Sequence, residues 1–249
     1  MKKFLIVAIA ALAALVVAAP ATAQYPLPDL TFDASLTPTK AGTKKKPKNS
    51  KVRISLAIPR EARVTADQFV FNLPRHVRVS GKGFPKCPAT QLDSTKDPSK
   101  CPRRSRVGTG TATVVLGNST VQLNLTFFVG SARELAVWVE AVGLPIQKAL
   151  RAQIGRAGSP FFHKLTIDVP QEVYQPLPNV YSNITNLQAT IGAHNGKKRK
   201  KRRNLITTRG CPADRLHRFE ARVRFIANPN PPIQGSSAEG DTSACTGRP

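Results

Sequence analysis

The chain has 249 residues, of which 41% are hydrophobic and only 6% aromatic, and it contains four cysteines. Its 38 lysine and arginine residues outnumber its 14 aspartate and glutamate residues, so the formal net charge at pH 7 is +24. This length allows one large domain or two small ones. Beyond the first 23 residues no apolar stretch is long enough to cross a bilayer, which excludes a helical protein with several membrane spans.

The first 23 residues have the pattern of a secretory signal peptide. Lys2 and Lys3 form the charged start, an apolar segment follows, and Ala21-Thr22-Ala23 has the small-residue spacing of a cleavage site. An uncleaved membrane anchor is the alternative, but the apolar segment, at about 16 residues, is short for a membrane span. We therefore predict a secreted or cell-envelope protein in which residues 24–249 form one domain.

Most of the remaining chain consists of short segments with an apolar residue at every second position, each bounded by proline, glycine or asparagine, which is typical of strands. The predicted strands cover residues 30–36, 52–58, 66–73, 77–79, 111–116, 120–129, 134–141, 161–169, 187–191, 205–207 and 218–226. Residues 144–156 fit either a short amphipathic helix or a strand, and residues 228–243 are predicted as a loop. The pattern predicts an all-β protein, an antiparallel β-sandwich of about nine to eleven strands.

An even number of cysteines in an exported chain predicts two disulfides, here stapling the sandwich. Three connectivities are possible, and we favour the pairing of sequence neighbours, Cys87 with Cys101 and Cys211 with Cys245. Each bond would stabilise the fold by roughly 3–4 kcal/mol in the chain-entropy treatment. A zinc site is not favoured, because the sequence has no C-x-x-C pair and the compartment is oxidising. Between the first two cysteines, residues 88–100 are predicted as a polar loop.

Two segments hold most of the positive charge. Residues 40–53 contain seven basic residues, residues 195–209 contain eight, and neither contains an acidic residue. A strand could not hold so many adjacent like charges, so both are predicted as loops, over residues 40–51 and 195–204. The candidate polyanion-binding residues are Lys44, Lys45, Lys46, Lys197, Lys198, Arg199, Lys200, Lys201, Arg202 and Arg203.

The adjacent cations of these loops either remain solvated and aid solubility, or bind a polyanion. The partners that suit an exported protein are an anionic cell-wall polymer or an anionic lipid surface. Nucleic acid is not favoured, because no aromatic residues alternate with the basic run to stack on bases.

The sequence has none of the common catalytic motifs, such as G-x-S-x-G or H-E-x-x-H. We predict no enzyme activity, no cofactor and no metal. The histidines fall in unrelated contexts, and they are His76, His163, His194 and His217. His163 and His217 lie in or beside predicted strands and are predicted as packing or surface residues rather than catalysts. The glycine pairs Gly81-Lys82-Gly83 and Gly108-Thr109-Gly110 are predicted as tight turns rather than as a dinucleotide-binding loop.

The alternative function is a secreted carbohydrate-binding module or carbohydrate-active enzyme. A glycosidase-type pair drawn from Glu134, Glu140 and Asp168 stays open, because spacing in sequence does not constrain which residues meet in a sandwich. An exposed aromatic platform would support sugar binding. Burial of the relevant aromatic residues, which are Phe127, Trp138 and Phe225, would weaken it.

Several short motifs carry a family resemblance. They are the lysine hairpin at residues 40–48, Phe84-Pro85-Lys86-Cys87, the segment Cys101-Pro102-Arg103-Arg104-Ser105-Arg106-Val107-Gly108-Thr109-Gly110, and the C-terminal Cys211-Pro212 and Cys245. In these motifs the chain resembles a group of uncharacterised exported actinobacterial proteins, over most of its predicted mature length. The resemblance implies a secreted β-rich domain with the neighbour pairing of disulfides, and it implies no activity.

Overall fold

The protein is described here by a computed structural model, which covers residues 26–195, 203–226 and 234–247. The predicted signal peptide and residues 197–202 of the second basic run lie outside the described residues. Strands dominate the rest. They are β1 Thr31–Thr37, β2 Lys48–Asn49, β3 Lys51–Ala57, β4 Thr65–Pro74, β5 Val77–Val79, β6 Arg106–Leu116, β7 Ser119–Ser131, β8 Glu134–Ala141, β9 Gln147–Arg156, β10 Phe161–Asp168, β11 Ser182–Ile191, β12 His194–Asn195, β13 Arg203–Asn204, β14 Ile206–Thr208, β15 Leu216–Ile226 and β16 Gly235–Ala244.

Helical structure is limited to short segments. The described residues contain the α-helices α1 Ala89–Thr95 and α2 Gln171–Tyr174, and the 3-10 helices Arg60–Ala62, Pro98–Lys100 and Arg103–Ser105. No helix in the part of the chain that the structure describes is long and apolar enough to span a membrane.

Eleven of the strands form one antiparallel sheet in the order β1-β3-β11-β6-β7-β8-β9-β10-β4-β15-β16. The sheet curls until its edge strands β1 and β16 lie side by side, so its two halves face each other across a common core. Side chains of β16 bridge this seam: Asp241 accepts a hydrogen bond from the backbone N–H of Ala34 at 2.6 Å, and Ser243 accepts one from Leu36 at 3.2 Å. The predicted antiparallel all-β sandwich is confirmed.

The core is built from the alternating apolar residues that the sequence pattern indicated. Phe69 and Phe71 of β4, Phe127 of β7, and Val223 and Phe225 of β15 are all buried in one continuous cluster. Because successive side chains of a strand point to opposite faces, the intervening residues face solvent or the outer layer.

Both predicted disulfides are present, Cys87–Cys101 and Cys211–Cys245. The segment between the first pair is not the loop that was predicted, because residues 89–95 form α1. Leu92 and Ala89 of this helix are buried, and Leu92 belongs to a small apolar cluster with Trp138 on the outer face of the sheet. One leucine gives no visible periodicity, so the helix was missed.

Strand β9 settles the ambiguity of residues 144–156. Ile154 and Leu150 both point into the core from this strand. Their spacing of four residues suits one face of a helix, but four is also a multiple of the two-residue strand period, so the spacing could not distinguish the two.

Two further predictions are wrong. Residues 235–244 form the edge strand β16 instead of a loop, and their side chains are mostly exposed, so no apolar alternation marks the strand. Gly108 and Gly110 lie inside β6 instead of a turn. A Cβ at Gly110 would be only 2.3 Å from the backbone oxygen of Gln188 on β11, so glycine is needed there for close approach of two strands. Gly83, with φ of +82°, does lie in a turn.

Candidate anion-binding surface

The connections between antiparallel strands alternate between two ends of the sandwich, and the described parts of both basic segments lie at the same end. We call this the basic end; it is where β1, β4, β9 and β11 finish and where β15 begins. The first basic segment follows β1, and the second lies between β11 and β15. Their proximity could not be expected from the sequence, because they are about 150 residues apart.

A small three-stranded sheet joins the two segments. We call the first basic loop, residues 40–51, the lysine loop; it contains β2. Strand β14, which follows the second basic run, lies between β2 and β5. Thr207 faces Asn49 on one side and Arg78 on the other. The backbone N–H of Ser50 also donates to the carbonyl of Ile206, at 3.1 Å. The lysine loop is therefore held against the segment that follows the second run.

The second disulfide fixes the base of the lysine loop. Ala41 packs against Cys211 and Cys245 in a separate apolar cluster. The backbone N–H of Ala41 donates to the carbonyl of Thr246 at 2.7 Å, and the N–H of Thr246 donates to Thr39 at 3.0 Å. The start of the lysine loop is therefore anchored at the Cys211–Cys245 disulfide.

The predicted binding residues that the structure describes are solvent-exposed. Lys44, Lys45 and Lys46 are exposed around a turn in which the N–H of Lys46 donates to the Thr43 hydroxyl at 3.0 Å. Arg203 of β13 is also exposed. The other six candidates, residues 197–202, lie outside the described residues.

Sequence reasoning missed four arginines at this end: Arg75, Arg78, Arg156 and Arg209. Arg209 is the last residue of the second basic segment, apart from its run of adjacent cations, and the other three lie outside both segments, so their only signal was the overall charge. Together with Lys44 these residues are called the basic surface. None of the ion pairs found among the described residues involves any of the four arginines.

The closeness of these cations affects the pKa values of His76 and Arg78. Burial, followed by the charges of Arg209 and Arg156, lowers the pKa of Arg78, although an arginine stays charged at any physiological pH. Burial and then the charges of Arg75, Arg78 and Lys44 lower the pKa of His76. The basic surface therefore gathers positive charge, and no described carboxylate forms an ion pair with its four arginines.

The structure does not bring Glu134 and Glu140 together as a catalytic pair. Glu134 and Glu140 lie on the same strand six residues apart, which separates them by roughly 20 Å at the strand rise per residue. Glycosidase pairs lie within about 10 Å. Asp168 accepts a hydrogen bond from Gln68 at 2.7 Å. No group of three or more histidine, cysteine or acidic residues that could hold a metal occurs in residues 26–195, 203–226 and 234–247.

The four histidines differ in how far they are buried. His217 is almost wholly buried, His76 and His163 are partly buried, and His194 is exposed. The three aromatic residues whose exposure would have supported sugar binding are all buried, and they are Phe127, Trp138 and Phe225.

Comparison with known proteins does not assign a function to the chain. No protein family, no curated protein and no solved structure matches the chain. The basic surface is thus the feature from which a function has to be inferred.

Proposed function

We propose that the mature protein is exported and binds an anionic polymer of the cell envelope through its basic surface, without catalysing a reaction. The observation that carries the proposal is the convergence of the lysine loop with four arginines at one end of the sandwich, where no described carboxylate pairs with those arginines. Uncompensated cations at one end concentrate anionic polymer there, because each contact releases counterions.

The compartment supports this reading. Two disulfides are typical of an oxidising, extracytoplasmic environment. The signal-peptide pattern of residues 1–23 and the resemblance to exported proteins both point to secretion or to the cell envelope.

A polymer fits better than a lipid surface. Peripheral membrane binding combines cations with apolar side chains that enter the interface. Four of the exposed large apolar side chains, Val142, Leu144, Ile146 and Leu177, lie instead at the end opposite the basic surface, in the connections β8–β9 and β10–β11. The basic end has only Leu216 of this kind among the described residues.

The test is retention of the oxidised mature protein on immobilised anionic cell-wall polymer across a salt series. Two variants remove charge at the basic end: Lys44→Ser with Lys45→Ser, and replacement of residues 197–203 by serine and glycine. A matched control removes two exposed charges at the opposite end, Arg60→Ser with Arg63→Asn.

We expect wild type and control to be retained equally, and the lysine variant to elute earlier. The slope of log affinity against log salt should fall by roughly one unit per contacting lysine removed. Equal retention of the lysine variant and the control would overturn the proposal. Vesicles of phosphatidylglycerol and phosphatidylcholine serve as a second surface, and tighter binding to them than to the polymer would reject the polymer in favour of lipid.

A further inference from the structure

Three arginines of the basic surface, Arg78, Arg156 and Arg209, gather around one face of the small sheet. Arg78 lies opposite Thr207 in the pairing of β5 with β14, so the two side chains share a face. Arg209 follows Thr207 by two residues and so points to the same face. Its backbone N–H donates to the carbonyl of His76 at 3.0 Å, which continues the pairing beyond β14.

The Phe162 ring orients Arg78 and Arg156, and backbone carbonyls also hold Arg78. The guanidinium carbon of Arg78 lies 3.3 Å from the centroid of the Phe162 ring, and that of Arg156 lies 4.2 Å from it. Arg78 also donates to the carbonyls of Arg75 at 2.6 Å and Val77 at 3.0 Å. Stacking on a ring orients a guanidinium and leaves its remaining N–H groups free for a ligand.

A polar side chain on the same face has an unmet bonding capacity. Asn49 lies opposite Thr207 on the other side of β14, so its side chain shares the face of Arg78. The Asn49 side-chain oxygen is buried and has no hydrogen-bond partner among the described residues. A carboxamide can present either its oxygen or its NH₂ group, so Asn49 can add a donor to a bound anion.

The arginines have no described acidic partner, which leaves a cationic surface on which the guanidinium groups of Arg78 and Arg156 are oriented. We propose that Arg78, Arg156 and Arg209, with Asn49, form a discrete site for a tetrahedral oxyanion, a phosphodiester or sulfate-ester group of the bound polymer. Guanidinium groups match such oxygens bidentately, in contrast to the solvated lysines of the loop, which act as point charges. The proposal rests on the proposed function, because it names the chemical group that the basic surface recognises.

The test measures binding of inorganic phosphate and inorganic sulfate to the mature protein by calorimetry, with the NMR signals of the His163 ring as a local reporter. His163 is suited to this, because its Nδ1 lies 3.3 Å from the Gly155 carbonyl and the three arginines contribute to lowering its pKa, after the larger effect of burial. We expect saturable binding at millimolar concentration. Arg209→Ala should weaken it roughly tenfold, as for loss of one charge-assisted hydrogen-bonding group.

The decisive comparison is a conservative one. Arg78→Lys with Arg156→Lys keeps the net charge but removes the planar donor forks, so affinity for phosphate should fall by at least as much as in Arg209→Ala. The control from the opposite end, Arg60→Ser with Arg63→Asn, should bind phosphate like wild type. Absence of saturable binding to either anion, or full binding by the arginine-to-lysine variant, would overturn the site.

The two proposals can fail separately. The wild-type protein could bind phosphate, lose that binding in the arginine variants, and still not be retained on the polymer. That result would support the site and reject the polymer function. Retention of the polymer by a protein that binds neither small anion would support the function and reject the site, since charge alone would then explain the retention. Far-UV circular dichroism and the melting temperature show whether each variant is folded.

Discussion

His217 is almost wholly buried, with only 1% of its side chain exposed, and neither ring nitrogen has a hydrogen-bond partner among the described residues. It begins the inward-facing row that Phe219 and Ala221 continue along β15. Burial, and secondarily the charge of His76, lowers its pKa to about 4, although Asp214 acts in the opposite direction. The side chain is therefore a neutral packing group, as its position beside a strand had led us to predict.

This burial makes stability depend on pH. With a pKa of about 4 in the folded protein and 6.5 in the unfolded chain, His217 binds a proton more readily when unfolded. Its contribution is fully present above pH 6.5 and is lost as the pH falls towards 4, by up to about 3 kcal/mol. Urea unfolding between these pH values should show a smaller decline in His217→Gln than in wild type. The exposed His194→Gln is the control, and an unchanged decline in His217→Gln would contradict the expectation.

At the scale of elements, α1 shows how a short helix is fixed without periodicity. Asp93 accepts the backbone N–H of Ala149 at 3.0 Å and lies 3.4 Å from Lys148, which ties the helix to β9. The helix ends at Thr95, and the residue that follows, Lys96, has a φ of +49°. Its one wholly buried leucine, Leu92, contacts the sheet beneath.

We expect Leu92→Ala to lower the free energy of unfolding by about 2–5 kcal/mol, since it leaves a cavity next to Trp138 under the disulfide loop. Leu177→Ala, at a position 61% exposed, should change it by less than about 0.5 kcal/mol. Urea denaturation monitored by tryptophan fluorescence measures both. Similar losses in the two variants would show that α1 does not pack as described.

For the molecule as a whole, the seam between β1 and β16 decides how far the sheet closes. Its links are side chain to backbone: Asp241 to Ala34, Ser243 to Leu36, and the Ser237 hydroxyl donating to the carbonyl of Pro28 at 2.8 Å. Such links join the two edge strands without a backbone hydrogen-bond ladder between them, so we expect the loss of one link to weaken the seam.

Asp241→Ala should lower the free energy of unfolding by about 1–3 kcal/mol, because the buried N–H of Ala34 loses its partner. Hydrogen exchange at Ala34 should speed up while exchange at Phe71, in a central strand, stays slow. Glu239→Ala removes an exposed carboxylate from the same strand and is the control. Equal exchange at Ala34 in both variants would exclude the seam link.

The β class, the number of disulfides and the inward faces of most strands could be predicted from local features of the chain. Alternation is a local property: Phe69 and Phe71 face the core because a strand repeats every two residues, whatever its neighbours. The exposure of Lys44 to Lys46 also followed locally, since adjacent like charges cannot be buried together.

Which strands became neighbours could not be read from the local pattern. Strand β16 has no apolar pattern and exists through pairing with β15, and Arg78 and Arg156 meet at the Phe162 ring because β5, β9 and β10 converge. These contacts depend on chain segments far apart in sequence, whose pairing is selected by burial of the whole core rather than by local pattern. The basic segments are local runs of cations, so they could be identified from sequence. The arginines of the proposed oxyanion site come from distant segments, so their meeting could not be predicted.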